Sequence, residues 1–359
     1  MNVRHVRYIL WEHLPYFCIL AIYIVIGATI LSGMGRNAFD NLQERYVLFF
    51  NRMGLLAIAY SIIQACHLLA GLLAKLIENI TGSTRRYSSA NSEIDFFVQV
   101  VEFIIIFATF PLFLTMFTNL KQIIPTINPF SWDQKFMMID FIIHGGHHPW
   151  ELIQLFLGYP FVTNAIDLIY LSWFYILFFI VGWMGFSRRR KLRAKFFLSI
   201  MITWILLGTI LGIIFSSAGP CYYKNITGDG SIYHPLMDYL KRTHEQKFLF
   251  AFKFQGDLWE SYKNNYVGIF SGISAMPSIH VATTVIFSLV GWKIRPLLGF
   301  AFIFYALIIQ VGSIHLGWHY AIDGYVGGIL AILVWRVVDR LLKSIGWHDE
   351  MNFFPASHG

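Results

Sequence analysis

His280, His319 and Asp323 are of the right types and spacing to act together. His319 and Asp323 are four residues apart, which on a helix puts them on one face with backbones about 6 Å apart. At that distance a carboxylate can hold an imidazole in one tautomer and stabilise its cation, the orienting role it has in hydrolase triads. A second imidazole beside them suits phosphoryl transfer without a metal. One neutral histidine attacks phosphorus and carries a phosphohistidine. The other, protonated, donates to the leaving oxygen and then serves as base for the acceptor. Ser278 is small and offers a phosphate a hydroxyl donor. A lone histidine in a membrane helix is ordinarily a satisfied contact residue, and Asp323 alone would pass for a buried structural acid. Three ionisable residues in this arrangement form a functional hypothesis instead.

The elements that must bring these residues together are membrane spans. Hydrophobic residues make up 57% of the 359, and charged residues only 13%, against roughly a quarter in an ordinary soluble domain. The apolar residues are gathered into long runs. Eight stretches qualify as spans: 8–31, 53–77, 97–119, 165–186, 195–217, 278–292, 297–314 and 319–341. The sixth is short, about 22 Å at 1.5 Å per residue, so its first turn is expected below the membrane surface. The chain is thus expected to be all-α and polytopic. His280 opens the sixth span and His319 the eighth, so one hairpin returns both to the same face.

Lysine and arginine give the orientation. The short loop 187–195 carries Arg188, Arg189, Arg190, Lys191, Arg193 and Lys195, and further basic residues (Arg4, Arg7, Lys75, Arg85, Arg86, Lys293, Arg295) fall on the same side. The positive-inside rule puts both termini in the cytoplasm and the histidines on the extracytoplasmic face, read as the periplasmic side of a bacterial inner membrane. Residues 120–164 and 218–277 are the extracytoplasmic segments, and 342–359 a cytoplasmic tail. The first is mixed, with an amphipathic stretch Phe136–Ile143 that fits an interfacial helix or a re-entrant element. A net charge of +7 would suggest nucleic acid in a soluble protein; here it reflects cytoplasmic loops, and no nucleic-acid partner is expected. Cys18, Cys66 and Cys221 set no disulfide framework.

Pro277-Ser278-Ile279-His280 followed by His319-Tyr320-Ala321-Ile322-Asp323 resembles the second and third motifs of the type-2 phosphatidic acid phosphatase superfamily. The resemblance covers about 97–341 and is specific only in 275–328. It implies a six-helix membrane core supplied by the third to eighth spans, with 1–96 as accessory helices. It also implies His319 as nucleophile, Asp323 as its partner, His280 as acid/base and Ser278 in contact with phosphate. No cofactor and no metal are implied. The phosphatase first motif, a lysine upstream of an Arg-Pro pair, should fall where this chain reads Gly219-Pro220-Cys221-Tyr222-Tyr223-Lys224. Ser313 stands where the third motif has arginine, and Ile279 where the second has glycine. This reduced pattern is similar to the inositol phosphorylceramide synthase and sphingomyelin synthase branch, the inositolphosphotransferase-like members. That likeness implies transfer of a phospho-headgroup from a phospholipid or lipid-phosphate substrate to a lipid acceptor. Lys224 or Lys263 is the expected replacement for the missing cations.

Weaker signals have two readings each. His315 precedes His319 by four residues and either positions it, touches substrate or caps a helix end. Tyr222 and Tyr223 are substrate contacts or interfacial belt residues. His144-Gly145-Gly146-His147-His148 reads as a metal site, a headgroup contact or a polar turn; the double glycine disfavours the helical spacing a zinc pair needs. Asp133, Asp140 and Glu151 flank it as candidates for lining a headgroup entrance. Gly324 and Gly328 read as a close-packing pair. The first two spans would serve dimerisation or lateral lipid entry. Simple lipid phosphate hydrolysis stays open as an alternative activity. A proton-coupled transporter predicts ionisable residues through the bilayer depth or two repeats with interrupted helices, and neither pattern is present.

Overall fold

The computed structural model describes residues 3–51, 90–266, 268 and 271–347. Every regular element among them is helical. In chain order the main helices are α1 (Val3–Gly33), α2 (Ala90–Gln122), α3 (Asp133–Ile143), α4 (Pro149–Leu157), α5 (Pro160–Gly185) and α6 (Arg190–Ile214). There follow α7 (His234–Gln246), α8 (Phe250–Lys263), α9 (Ile279–Ile294), α10 (Pro296–His315) and α11 (Ala321–Ser344). Six of these, α1, α2, α5, α6, α10 and α11, are long and apolar enough to cross a membrane, and α9 is a shorter apolar helix of 16 residues. The expected span 53–77, with Cys66, Lys75, Arg85 and Arg86, lies outside the described residues. The chain is an all-α, multi-pass membrane protein.

The helix starts follow local chemistry. Proline occupies the first position of α4, α5 and α10, where its missing N–H would have had no intrahelical partner. Residues 120–164 resolve into the two short helices α3 and α4, joined by a turn in which Gly145 and Gly146 take positive φ.

The middle of the fold is α9, which packs against α10, α11 and α6. Ala282, Thr283 and Phe287 are wholly buried there. Its hydroxyls are satisfied locally: Thr284 and Ser288 donate to carbonyls of their own helix, and Thr283 accepts from Trp204 Nε1 at 3.0 Å. Phe300, Phe304 and Leu307, on one face of α10, are each more than half exposed, as expected of a surface solvated by lipid rather than water.

At one end of the bundle Arg193 pairs with Glu102 at 2.5 Å and Lys195 with Asp339 at 2.8 Å. Two of the six basic residues in 187–195 are therefore buried helix residues rather than loop charges. The other end of α6 runs into Ser216–Gly219, where the histidines gather.

Candidate active site

The approach to His319 begins with the end of α10. Gly317 takes φ +74° and donates to Ile314 O at 3.0 Å, while Trp318 N donates to Ser313 O at 2.9 Å. This paired closure, with glycine in the left-handed position, stops the helix at His315. The next helix starts only at Ala321, capped by Tyr320. His319 therefore stands in the turn between two helices, and the expectation that His319 and Asp323 share one helical face is corrected. His319 meets Asp323 by another route. Asp323 is the third residue of α11, and its Oδ2 turns back to accept the Tyr320 N–H at 3.0 Å. That same oxygen lies 3.2 Å from His319 Nδ1.

His280 sits in the first turn of α9, whose cap is Ser278. The Ser278 N–H donates to the Asp323 backbone carbonyl at 3.0 Å, joining the α9 start to the α11 start. A Cβ at Gly327 would come within 2.6 Å of Ser278 O, and one at Gly324 would overlap Gln310. Gly328 would make only ordinary contact with Val285 at 3.6 Å. The close-packing pair is thus Gly324 and Gly327 rather than Gly324 and Gly328. The His280 and His319 ring centroids are 6.2 Å apart, so the two imidazoles stand side by side.

The turn bearing His319 is clamped by α3. Asp133, Phe136 and Asp140 share one face of that helix and all are buried. The Asp133 carboxylate accepts from Ser217 Oγ, from the N–H groups of Ala218 and Gly219, and from Tyr320 Oη, all within 2.9–3.1 Å. Asp140 accepts the first N–H groups of α11, from Ala321 at 2.6 Å and Ile322 at 2.9 Å. Such donors have no partner inside their own helix. Gly219, at φ +98°, lets this segment pass Trp318 so closely that a Cβ would lie 2.6 Å from the Trp318 carbonyl. Asp133 and Asp140 hold backbone, then, and do not line a headgroup entrance. Glu151 caps α4 by accepting the His148 N–H at 3.0 Å.

The remaining candidates are placed as follows. His315 is fully buried and its Nε2 bonds to Thr163 Oγ1 at 2.8 Å. The Ser313 hydroxyl donates to Gln310 O at 2.8 Å, and its carbonyl accepts the His319 N–H at 3.1 Å. Tyr222 and Tyr223 are buried rather than belt residues; Tyr222 Oη donates to Gln255 O at 2.9 Å. Lys263 is exposed and paired with Glu260 at 2.7 Å, and Lys224 is exposed on the turn 223–227. His144 bonds Asp140 O and Tyr325 Oη.

Two side chains at the site carry no signal in the linear pattern. Tyr170 and Trp173 of α5 lie against His280, at 5.0 and 4.3 Å between ring centroids, and among the described residues neither Tyr170 Oη nor Trp173 Nε1 has a hydrogen-bond partner. The buried spacing of Asp133, Phe136 and Asp140, which share one helix face, is the one overlooked feature that periodicity offered.

Burial pushes the Asp140 carboxyl up to about 6, with the charge of Asp323 adding to it against the N–H groups of Ala321 and Ile322. A carboxyl raised in the fold contributes stability that is complete below its unfolded value near 3.9 and is lost as pH rises through about 6. Wild-type stability measured against Asp140→Asn by thermal unfolding in detergent should therefore fall between pH 4 and 6, by on the order of 3 kcal/mol. A difference flat across that range would contradict the assignment.

The arrangement puts two imidazoles side by side, one of them in contact with a carboxylate. No match is found among curated proteins or among solved structures. A family model described as the PAP2 superfamily matches residues 134–337, from the first turn of α3 almost to the end of α11 and including His280, His319 and Asp323. With more than half of its length inside that match, the chain belongs to the PAP2 superfamily, whose members are phosphatases and phosphotransferases of lipid-like phosphates.

Proposed function

We propose that this enzyme transfers a phospho-headgroup between lipids at the extracytoplasmic leaflet, in the manner of the inositol phosphorylceramide synthase and sphingomyelin synthase branch. The observation that carries the reading is the His319 Nδ1–Asp323 contact of 3.2 Å with the His280 ring 6.2 Å away. Asp323 holds the Nδ1 proton, leaving Nε2 of His319 free to attack phosphorus. The P–N bond forms as the P–O bond to the donor lipid breaks, and protonated His280 gives its proton to the departing oxygen. The acceptor hydroxyl then attacks phosphorus, His280 takes its proton, and the P–N bond breaks. Ser278 offers its hydroxyl to the phosphoryl oxygens. Residues 97–341 form the catalytic core in this reading, 1–96 are accessory spans, and both termini are cytoplasmic. Tyr170, Trp173 and Phe174 around His280 favour a lipid acceptor, because an aromatic wall leaves water few partners.

The test uses the full-length protein in mixed micelles with headgroup-labelled phosphatidylinositol, with and without ceramide or diacylglycerol. Label in a new lipid, dependent on acceptor, is the expected result. Headgroup phosphate released to water regardless of acceptor would make the enzyme a hydrolase. Absence of both products across phospholipid classes would overturn the reading.

A further inference from the structure

The α3–α4 hairpin lies between the spans α2 and α5, yet its outer surface is not one that water would solvate well. From Phe136 to Asn164 the chain carries only two charged residues, Asp140 and Glu151. Both carboxylates are turned onto backbone: Asp140 accepts the N–H groups of Ala321 and Ile322, and Glu151 that of His148. What the hairpin turns outward is apolar. Ile142 is 66% exposed, Leu155 72% and Phe156 77%. The helices that follow α6 on the same side of the bundle are built the other way. There α7 exposes Lys241, Arg242 and Glu245, and α8 exposes Lys253, Asp257 and Glu260. An outward apolar surface without interspersed charge marks contact with protein or membrane.

Continuity with the spans decides between these two. Beyond α4 the chain passes through Gly158 and Tyr159 into α5, where Phe161, Leu168, Tyr175 and Phe179 form an exposed row at helical spacing. At the other end of the hairpin, His144 Nε2 lies 3.1 Å from Tyr325 Oη. Tyr325 opens a second exposed row on α11 that continues through Ile329 and Leu333. Both rows belong to helices long and apolar enough to cross a membrane, so they face lipid, and the hairpin extends them without a charged break. The opposite face of α3 is already occupied, because Asp133 and Asp140 there hold Tyr320 and the start of α11.

We propose that the α3–α4 hairpin is immersed in the leaflet on the side of His280 and His319, with Ile142, Leu155 and Phe156 among the acyl chains. A helix lying in the interface plane sinks its apolar face about 5–10 Å into the boundary between headgroups and chains. The inner face of this one is bonded to the catalytic turn, so the depth of the hairpin fixes the depth of His319 against the lipid headgroups. The partner is the bilayer itself, and the assignment does not depend on which reaction the histidines carry out.

The experiment is nitroxide accessibility on the full-length protein, reconstituted at high lipid excess in phosphatidylcholine–phosphatidylglycerol vesicles. Labels are placed singly at Ile142→Cys and Phe156→Cys, at the span control Phe304→Cys and at the water-facing control Lys253→Cys, in a chain whose three cysteines are replaced by alanine. Oxygen concentrates in hydrocarbon and a nickel chelate in water. The ratio of oxygen to chelate relaxation at both hairpin positions should match that at Phe304→Cys and exceed that at Lys253→Cys several-fold. A water-like ratio at either hairpin position, with Phe304→Cys lipid-like, overturns the proposal. So does spin–spin broadening at the hairpin that disappears on dilution with unlabelled protein, which would put a second copy on this face. If the cysteine-free chain does not fold, p-benzoylphenylalanine at position 156 of the chain with its own cysteines takes the place of the label. Photo-adducts with lipid are then expected, and adducts with another copy, or none with lipid, overturn the proposal.

Discussion

His319→Ala is expected to reduce turnover by at least about 10³-fold, because loss of a nucleophile leaves only binding and positioning to accelerate the reaction. The fold should survive the change. The imidazole side chain bonds to Asp323, and Asp323 Oδ2 keeps the Tyr320 N–H when the imidazole is removed. The loss should therefore appear in the rate at a nearly unchanged unfolding temperature. The same substitution should abolish acid-labile, base-stable labelling of the protein by a phosphate-labelled substrate, since phosphohistidine would form nowhere else. His280→Gln should slow both half-reactions by removing the proton donor and base, yet leave His319 able to take up label slowly. Wild-type turnover in His319→Ala would end the phosphohistidine mechanism, and label persisting in that variant would move the nucleophile elsewhere.

Asp133→Ala is the substitution expected to damage stability most while touching no substrate. One carboxylate, 1% exposed, satisfies four donor groups: the Ser217 hydroxyl, the N–H groups of Ala218 and Gly219, and the Tyr320 hydroxyl. Each donor left unsatisfied in the interior costs about 1–3 kcal/mol. With partial relaxation the total should be about 4 kcal/mol, at the upper end of single substitutions. Activity should fall as well, by about 10²-fold, because Tyr320 neighbours His319 and a misplacement near 1 Å is enough for that. Asp133→Asn keeps one carbonyl acceptor and should fall between wild type and alanine on both measures. Thermal unfolding and turnover on the same preparations check this. Asp133→Ala with wild-type stability would mean that the clamp is not what holds the turn.

Spans, hairpin and the histidine pair were legible along the chain because they depend on quantities local to it. Apolar run length marks a helix that can cross a membrane, and α1, α2, α5, α6, α10 and α11 lie where such runs lie. An apolar hairpin returns the chain to the face it left, so His280 and His319 meet whatever the packing details. Less was legible where the chain breaks its own periodicity. Spacing alone places His319 and Asp323 on one helical face. The Gly317 turn ends the helix at His315, and capping geometry brings Asp323 back to His319. Tyr222 and Tyr223 read as interfacial from their side-chain type, yet both are buried, because burial is decided by neighbours distant in sequence.

The partners that complete the site are of this long-range kind. Asp133 and Asp140 reach across more than 180 residues to hold the start of α11. The sequence by itself determined a membrane class, a hairpin and three residues whose types and spacing suit phosphoryl transfer, since hydropathy and short spacings are one-dimensional properties. Only the tertiary structure decided which carboxylates are structural and which aromatics wall His280. Those assignments follow from burial and from hydrogen bonds between distant segments, which exist only once the helices have packed.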